Sequence, residues 1–414
     1  MINKDELKNK IMNAILNSSD LQNTIDNINI ILNSYKTENK RKNILITQLN
    51  AMGDLILAIP AIREIRRNFP DAHITLVYFK TFEDIVKYLP YVDEIIPSDI
   101  SSINLFNFLL QSINFCYDKL WNKTYDLAFN LHFSCNVFVG SIIQWLSITK
   151  ENIGYSFDAE RQYFNSEFSL QCFLDIIQMD KFVLTKPIIN PYNIYHELDR
   201  KFYILEACNL KIIDKKLELF LDNKSEQYAN NILQNTKRRI IIGLASSNNT
   251  KRYSVKKLLI ALKEIIKDNN TFILLGVGDQ ELIDAKYLED NIKCINLINK
   301  TSVLESMALI KQSDLYIGND TGLMHIAEVF NKPIIYYLPQ AKTKDNNYTG
   351  SLSAKARFHP THNKYILLQP EKPIGECINM ETYNGCISTE AHCINQIDPS
   401  KIIQAYFIIK NKFL

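Results

Sequence analysis

The stretch whose reading decides the fold is Asp314-Leu-Tyr-Ile-Gly-Asn-Asp-Thr-Gly-Leu-Met-His-Ile-Ala-Glu-Val-Phe-Asn-Lys-Pro333. It reads as a short strand, a polar Gly-Asn-Asp-Thr-Gly turn, a one-sided helix, then Lys-Pro and a second strand from Ile334 to Leu338. The turn sets the Asp320 carboxylate, the Thr321 hydroxyl and the backbone N–H of Gly322 where a helix begins. The first N–H groups of a helix lack partners and the helix dipole adds positive charge, so the mouth attracts anions. His325 lies close enough along the helix to point back toward it. A phosphate-bearing ligand suits this arrangement. The competing reading is an ordinary connection in which Thr321 caps the helix and His325 is a polar helix residue.

Outward from this unit the same alternation recurs. Arg239–Ala245, Phe272–Leu275, Cys294–Leu297 and Leu315–Gly318 read as strands; Lys256–Lys267, Glu281–Asp290 and Val303–Lys311 read as helices. A breaker-rich stretch (Lys186-Pro, Asn190-Pro-Tyr) separates this half from an earlier one. There Asn43–Thr47, Ile74–Tyr78, Val92–Ile96 and Leu127–Leu131 are strands, with helices from the Asn50–Asp54 turn to Asn68 and over Phe82–Leu89. Strands alternating with helices build doubly wound parallel sheets. Residues 3–35 show helical periodicity in two pieces split at Asn17–Asp20, with Leu7, Ile11, Ala14 and Ile15 on one face. The expected organisation is a helical extension (1–42), two α/β domains (43–195 and 196–396) and a C-terminal helix (397–414). Polar turns at the strand C-terminal ends predict a ligand cleft between the domains.

Composition narrows the function classes. The 414 residues suit two cores. No apolar run approaches the roughly 20 residues of a membrane span, and Met1–Lys8 lacks the apolar core of a signal peptide; a cytoplasmic location is the expectation. Residues 1–200 carry 19 Lys/Arg against 23 Asp/Glu, leaving 28 against 22 for the rest. A mildly basic second half suits an anionic small ligand and is too weak to argue for nucleic acid. Lys40-Arg41-Lys42 reads as a solvated linker, with a membrane-surface role as the minor reading.

Three further turns carry chemistry. In Asn50-Ala-Met-Gly-Asp54, Gly53 permits a tight turn and Asp54 sits at or just inside a helix start. Asp54 is either an N-cap or a carboxylate aimed at a ligand as general base. In Ala245–Ser254 a strand ends in hydroxyls, amides and two cations. Ser246, Lys251 and Arg252 are candidates there for holding phosphate, against the reading of a solvated loop. In Gly276-Val-Gly-Asp-Gln-Glu281, Asp279 or Glu281 offers an acid to a ribose hydroxyl; the third glycine of a dinucleotide fingerprint is missing.

These blocks resemble glycosyltransferase family 9, the ADP-heptose:lipopolysaccharide heptosyltransferases. The similar segments are Asn43–Arg67, Tyr125–Leu131 with Ile153-Gly-Tyr155, His196–Tyr203, Thr250–Tyr253 and Gly318–Pro333, in order over about residues 43–400. The resemblance implies a GT-B fold, two Rossmann-like domains facing across a cleft, with acceptor on the first and nucleotide-sugar on the second. It implies an inverting, metal-independent transfer of a heptose from an ADP-sugar to a cell-envelope glycan such as the lipopolysaccharide core, with no cofactor. By carry-over Asp54 is the general base, and Lys251 neutralises the leaving diphosphate. Asp320, Thr321, Gly322 and His325 line the donor pocket with Ser246, Arg252 and Asp279 or Glu281. Asn50, Met52 and Gly53 lie on the acceptor side. A glycolipid acceptor allows peripheral contact with the inner membrane face. The alternatives are another nucleotide-sugar, a protein acceptor, or a non-catalytic relative that binds without turnover.

The chain departs from the family pattern by residues 1–42, by extra sequence around 100–122, and by Tyr253 where Trp is usual. Five cysteines (Cys116, Cys135, Cys172, Cys208, Cys294) sit in apolar surroundings as reduced core residues. Cys377, Cys386 and Cys393 form a looser group. With His392, His359 or His362 they could hold zinc or iron, but no C-x-x-C is present, and a metal-free loop is the favoured reading.

Overall fold

The computed structural model describes residues 2–18, 20–100, 105–133, 137–156, 183–189, 194–246, 249–342, 354–374 and 390–414. The chain divides into two compact units, Met1–Lys216 and Leu217–Leu414. In the first unit the strands are β1 (Asn43–Gln48), β2 (His73–Phe79), β3 (Glu94–Ser98), β4 (Tyr125–Asn130), β5 (Thr149–Tyr155) and β6 (Lys186–Ile188). Its helices are α1 (Lys4–Leu16), α2 (Leu21–Ser34), α3 (Met52–Asn68), α4 (Glu83–Val86), α5 (Leu105–Phe115), α6 (Val137–Leu146) and α7 (Glu197–Ala207). The second unit holds β7 (Arg239–Gly243), β8 (Thr271–Leu275), β9 (Cys294–Asn296), β10 (Leu315–Asn319), β11 (Ile334–Tyr337) and β12 (Tyr365–Leu368). Its helices are α8 (Asn223–Leu233), α9 (Val255–Ile265), α10 (Asp279–Glu289), α11 (Val303–Lys311), α12 (Gly322–Val329), α13 (Ala354–Phe358) and α14 (Pro399–Phe413).

Each unit has one six-stranded parallel sheet. The orders are β3-β2-β1-β4-β5-β6 and β12-β11-β10-β7-β8-β9. Both follow the 3-2-1-4-5-6 pattern of the Rossmann fold, so the strand order reverses between β1 and β4 and again between β7 and β10. Ligands of open α/β sheets bind outside the strand C-terminal ends at such switch points. Burial explains why these segments are strands. Ile44, Leu45, Ile46, Ile240, Ile241 and Ile242 are fully buried on both faces, as strands covered by helices on either side must be.

Four local features differ from the sequence reading. Lys186-Pro-Ile188 is not a breaker but the edge strand β6. Pro187 is tolerated because only β5 neighbours it. Phe82–Leu89 is not one helix but a 3₁₀ turn over Lys80–Phe82 followed by the single-turn α4; Pro90 disfavours helical backbone at Leu89. The N-terminal helices are not an appendage. Asn3 and Asp20 cap them by accepting from the backbone N–H of Glu6 and Asn23. Their apolar faces (Leu7, Ile11, Ile25, Ile28, Leu32) join Leu45, Trp121, Ile142 and Trp145 in one buried cluster, and Trp145 Nε1 donates to Asn29 Oδ1 at 2.6 Å. Finally, the units divide after Lys216 rather than at 195. Arg63 of α3 donates to Lys216 O at 3.0 Å, Asn68 exchanges hydrogen bonds with Lys211, and Glu64 accepts from Ile213 N. Those bonds fasten residues 211–216 to α3 of the first unit.

One stability prediction follows from the buried extension. Ile28→Ala is expected to cost about 2–5 kcal/mol, as a fully buried large-to-small change does. Denaturant unfolding of the variant measures it. An unchanged midpoint would show that α1 and α2 do not belong to the core.

Candidate functional site

In the second unit the site residues gather around the C-terminal ends of β7, β8 and β10. The two central strands approach closely there. Gly243 and Gly318 are register partners, and a Cβ on Gly318 would lie 2.6 Å from Gly243 O and 2.7 Å from the Tyr316 hydroxyl. That hydroxyl donates to Asn319 O at 3.2 Å. Asn319 Nδ2 in turn donates to Ala245 O at 3.1 Å, tying the turn after β10 to the loop after β7. The result is two polar turns held side by side.

On this platform Lys251, in a 3₁₀ turn over Asn249–Lys251, brings its Nζ to 3.9 Å from Asp320 Oδ2. The Lys251 side chain is partly exposed while Asp320 is mostly covered, so the ammonium is the accessible partner. Thr321 is the N-cap position of α12, yet its side chain makes no capping bond. Its hydroxyl is buried close to that of Tyr316, without a hydrogen bond of normal geometry. The cap reading for Thr321 therefore does not hold.

Arg252 and Glu281 behave differently from the expectation of two ligand-facing groups. Arg252 Nη1 pairs with Glu281 Oε1 at 2.8 Å and lies 3.8 Å from Asp284. Glu281 Oε1 also accepts from Ser246 N at 3.3 Å. Glu281 is buried, and Asp279, the first residue of α10, is exposed. Gly278 precedes it at φ +132°, and a Cβ there would meet Glu281 Oε2 at 2.2 Å, so the turn requires glycine. Asn299 holds that turn by accepting from Gly278 N at 2.8 Å. Burial pushes the Asp284 carboxyl above its usual range.

His325 is buried one turn into α12. Its ring stands edge-on to Phe358, with centroids 6.2 Å apart. Its Nδ1 lies 3.0 Å from Glu328 Oε2. Glu328 Oε1 accepts from Thr361 N at 2.7 Å and Thr361 Oγ1 at 2.8 Å. Neither Glu328 nor Thr361 is evident from the motif. The only signal was the i,i+3 spacing of His325 and Glu328, which places them on one face.

In the first unit, β1 leads through Asn50 and Ala51 into α3. Met52, Gly53 and Asp54 are the first three helical residues. Asp54 is not the N-cap; Ala51 is, without any side-chain bond. The carboxylate sits in the first turn and is 5 % exposed. Asn50 Nδ2 is 2.8 Å from Nε2 of buried His132, just beyond β4. His132 escaped the sequence reading because a lone histidine after a strand carries no pattern. In the segment His196–Tyr203, His196 caps α7 by accepting from Leu198 N. Glu197, Arg200 and Lys201 form a buried charged group, with Arg200 Nη1 2.9 Å from Glu197 and Lys201 Nζ 3.1 Å from Leu131 O. Arg200 also stacks 3.8 Å over the Phe133 ring.

Tyr253, where the family pattern has Trp, is buried; its hydroxyl donates to Ile397 O at 2.8 Å and its ring lies 4.9 Å from Tyr337. Cys377 and Cys386 lie outside the described residues, as do Cys135 and Cys172. Cys116, Cys208, Cys294 and Cys393 are free thiols. Burial pushes Cys294 up to about 11 and Cys116 higher still. Among the described residues no three His, Cys, Asp or Glu side chains gather as metal ligands. His362 Nδ1 accepts from Lys364 N at 3.2 Å. No helix among the described residues is long and apolar enough to cross a membrane.

Residues 178–356 match the model of glycosyltransferase family 9 (heptosyltransferase). The lipopolysaccharide heptosyltransferase 1 of Campylobacter coli is 24% identical over 382 residues, covering 88% of this chain and 98% of the relative. A lipooligosaccharide heptosyltransferase 2 of Campylobacter jejuni is 25% identical over 378 residues, with 88% and 97% covered. Among solved structures, a family 9 glycosyltransferase from Veillonella parvula superposes with a TM-score of 0.65 at 18% identity, covering 90% of this chain and 98% of that one. An Escherichia coli heptosyltransferase solved with ADP-2-deoxy-2-fluoro heptose gives 0.61 at 14% identity, with 89% and 99% covered.

Proposed function

The chain belongs to glycosyltransferase family 9, and from that premise we propose that it transfers a heptose from ADP-heptose to a hydroxyl of the lipopolysaccharide core, with inversion and without a catalytic metal. The observation that carries this reading is the meeting of Lys251, Asp320 and the open N-terminus of α12 at the sheet's switch point. Lys251 and the helix N–H groups meet the diphosphate as its charge grows on departure. Asp320 faces the donor sugar, where a carboxylate accepts hydroxyl protons. Asp279, exposed at the start of α10, is the ribose ligand. Glu281 organises the pocket by holding Arg252 and the Ser246 backbone. In the first unit Asp54 is the base that takes the proton of the attacking acceptor hydroxyl. The Asn50–Gly53 turn shapes the acceptor side, and the Asn50–His132 contact fixes it.

The test is product analysis. ADP-heptose offered with cell-envelope extract is expected to yield glycolipid heavier by one heptose in mass spectra, with ADP released. Transfer from a different nucleotide-sugar in preference to ADP-heptose would overturn the donor assignment. EDTA is expected to leave initial rates unchanged, because Lys251 and the α12 N-terminus neutralise the diphosphate. Rates restored only by magnesium or manganese would overturn metal independence. Elemental analysis of protein purified without added metal is expected to find no stoichiometric zinc or iron at the C-terminal cysteines. Near-stoichiometric metal lost in Cys386→Ser would reverse that.

A further inference from the structure

The residues just before four neighbouring strands of the second sheet meet at the edge opposite the turns that hold Lys251 and Asp320. Arg238 precedes β7, Asp314 precedes β10, Pro333 precedes β11 and Lys364 precedes β12. With Lys332, and with Phe413 at the end of α14, they line a cavity of about 470 Å³. The strands are parallel, and β10 has five residues. At about 3.3 Å per residue, the two edges are separated by roughly 16 Å. Three cationic side chains line the cavity. Even with the Leu414 α-carboxylate counted beside Asp314, cations exceed acids there by one. Lys412 adds a further ammonium 5.1 Å from the Phe413 ring.

Neither Lys332 nor Lys364 forms an ion pair or a side-chain hydrogen bond with a described residue, and both are half-buried. Asp314 Oδ2 accepts from Arg239 N at 2.7 Å, so this acid already serves the start of β7. Burial pushes the Lys332 ammonium below its ordinary range; Asp314 opposes the push, while Lys364, Arg239 and Lys311 add to it. Helices end at this edge, and their dipoles alone favour cations nearby. Other groups already meet the helix-end carbonyls, however. Asn331 N and Lys332 N donate to Glu328 O and Ala327 O at 2.8 and 2.9 Å and close α12. At the end of α11, Ser313 Oγ donates to Ile310 O at 2.8 Å and Arg239 Nη1 to Gln312 O at 3.2 Å. The two lysines are not spent on carbonyls.

We propose that this cavity is a second anion site, which binds a phosphate group through Lys332, Lys364 and Arg238. The inference goes beyond the donor-site reading and does not depend on it. A phosphate carries several acceptor oxygens on one centre, so it can meet two ammonium groups and a guanidinium together. Arg238 is only loosely engaged elsewhere, 3.2 Å from the Tyr406 hydroxyl and 3.9 Å from Asp268. Pro333 and Phe413 give the cavity an apolar wall, which suits a phosphate ester with carbon attached. That phosphate belongs either to a soluble ester or to the headgroup of an anionic lipid. The recognising chemistry is the same, and the experiment separates the two.

The experiment is calorimetric titration of pyrophosphate into wild type, the double variant Lys332→Gln/Lys364→Gln, and Lys293→Gln, at one ionic strength. Saturating ADP fills the donor site throughout. Lys293 is an exposed lysine outside the cavity, just before β9 at the far edge of the same sheet. Wild type and Lys293→Gln are expected to bind pyrophosphate alike, and the double variant about 10- to 100-fold more weakly. No pyrophosphate binding by wild type would overturn the proposal, as would equal affinity in the double variant. An equal loss in Lys293→Gln would also overturn it, by reducing the effect to net charge. Should the double variant fail to fold, each single variant carries the same test at about three- to tenfold. Sedimentation with phosphatidylcholine vesicles, with and without phosphatidylglycerol, identifies the source. Binding that needs phosphatidylglycerol and is lost in the double variant supports a lipid headgroup; pyrophosphate binding without vesicle binding supports a soluble ester. ADP affinity is expected to be equal in wild type and the double variant. Failure of wild type to bind ADP would count against the donor-site reading, an outcome distinct from failure of the cavity to bind pyrophosphate.

Discussion

Asp54→Asn is expected to lower kcat by about 10²–10⁴-fold, the range that a general base contributes, while ADP binding stays near the wild-type value. The local geometry makes the substitution informative. Asp54 is the third residue of α3, buried in its first turn, and it does not cap the helix. Asn preserves volume and polarity, so a lost cap cannot be blamed for lost rate. Steady-state kinetics with a saturating donor, beside a thermal melt and an ADP titration, separate the cases. A variant that turns over like wild type removes Asp54 from the mechanism. One that loses ADP binding in parallel with rate would mean that the α3 mouth acts through structure instead.

The parts of this molecule legible in its sequence are those with period and order. Runs such as Arg239-Ile-Ile-Ile-Gly243 and Asn43-Ile-Leu-Ile read as buried strands because parallel strands covered on both faces must be apolar throughout. The turn at Gly318–Gly322 was legible because a buried strand, a short polar run and a one-sided helix follow one another there. What escaped was set by contacts between distant residues. Nothing local shows that Pro187 lies on an edge strand, since that depends on β5 being its only neighbour. Nothing local shows that α1 and α2 enter a core with Trp121 and Trp145. Thr361 is thirty-three residues from the carboxylate it fixes. Arg252 reads as a phosphate ligand by its charge, and only the fold reveals Glu281 beside it. Motifs therefore mark the turns that carry the candidate residues, while the groups that orient those side chains come from tertiary structure.

Lys251→Ala is expected to weaken ADP-sugar and ADP by about 10- to 100-fold, the worth of one charge-assisted contact, with adenosine affinity little changed. The argument is one of accessibility. Lys251 and Arg252 are adjacent cations in the loop after β7, but they are not equivalent. Arg252 is committed to Glu281 and shielded, whereas Lys251 is the more exposed partner of a loose 3.9 Å pair with Asp320. A loose, partly solvated pair is worth little, so the ammonium exchanges it for a diphosphate at small cost. Because charge on the leaving diphosphate grows toward the transition state, kcat should fall further than ground-state affinity does. Lys251→Arg tests geometry against charge: it restores the cation but not the point-like ammonium, and should recover binding more fully than rate. Calorimetry with ADP-sugar, ADP and adenosine, together with kcat for both variants, measures each term. Equal losses for ADP and adenosine in Lys251→Ala would place the residue in the fold of the loop and out of contact with phosphate.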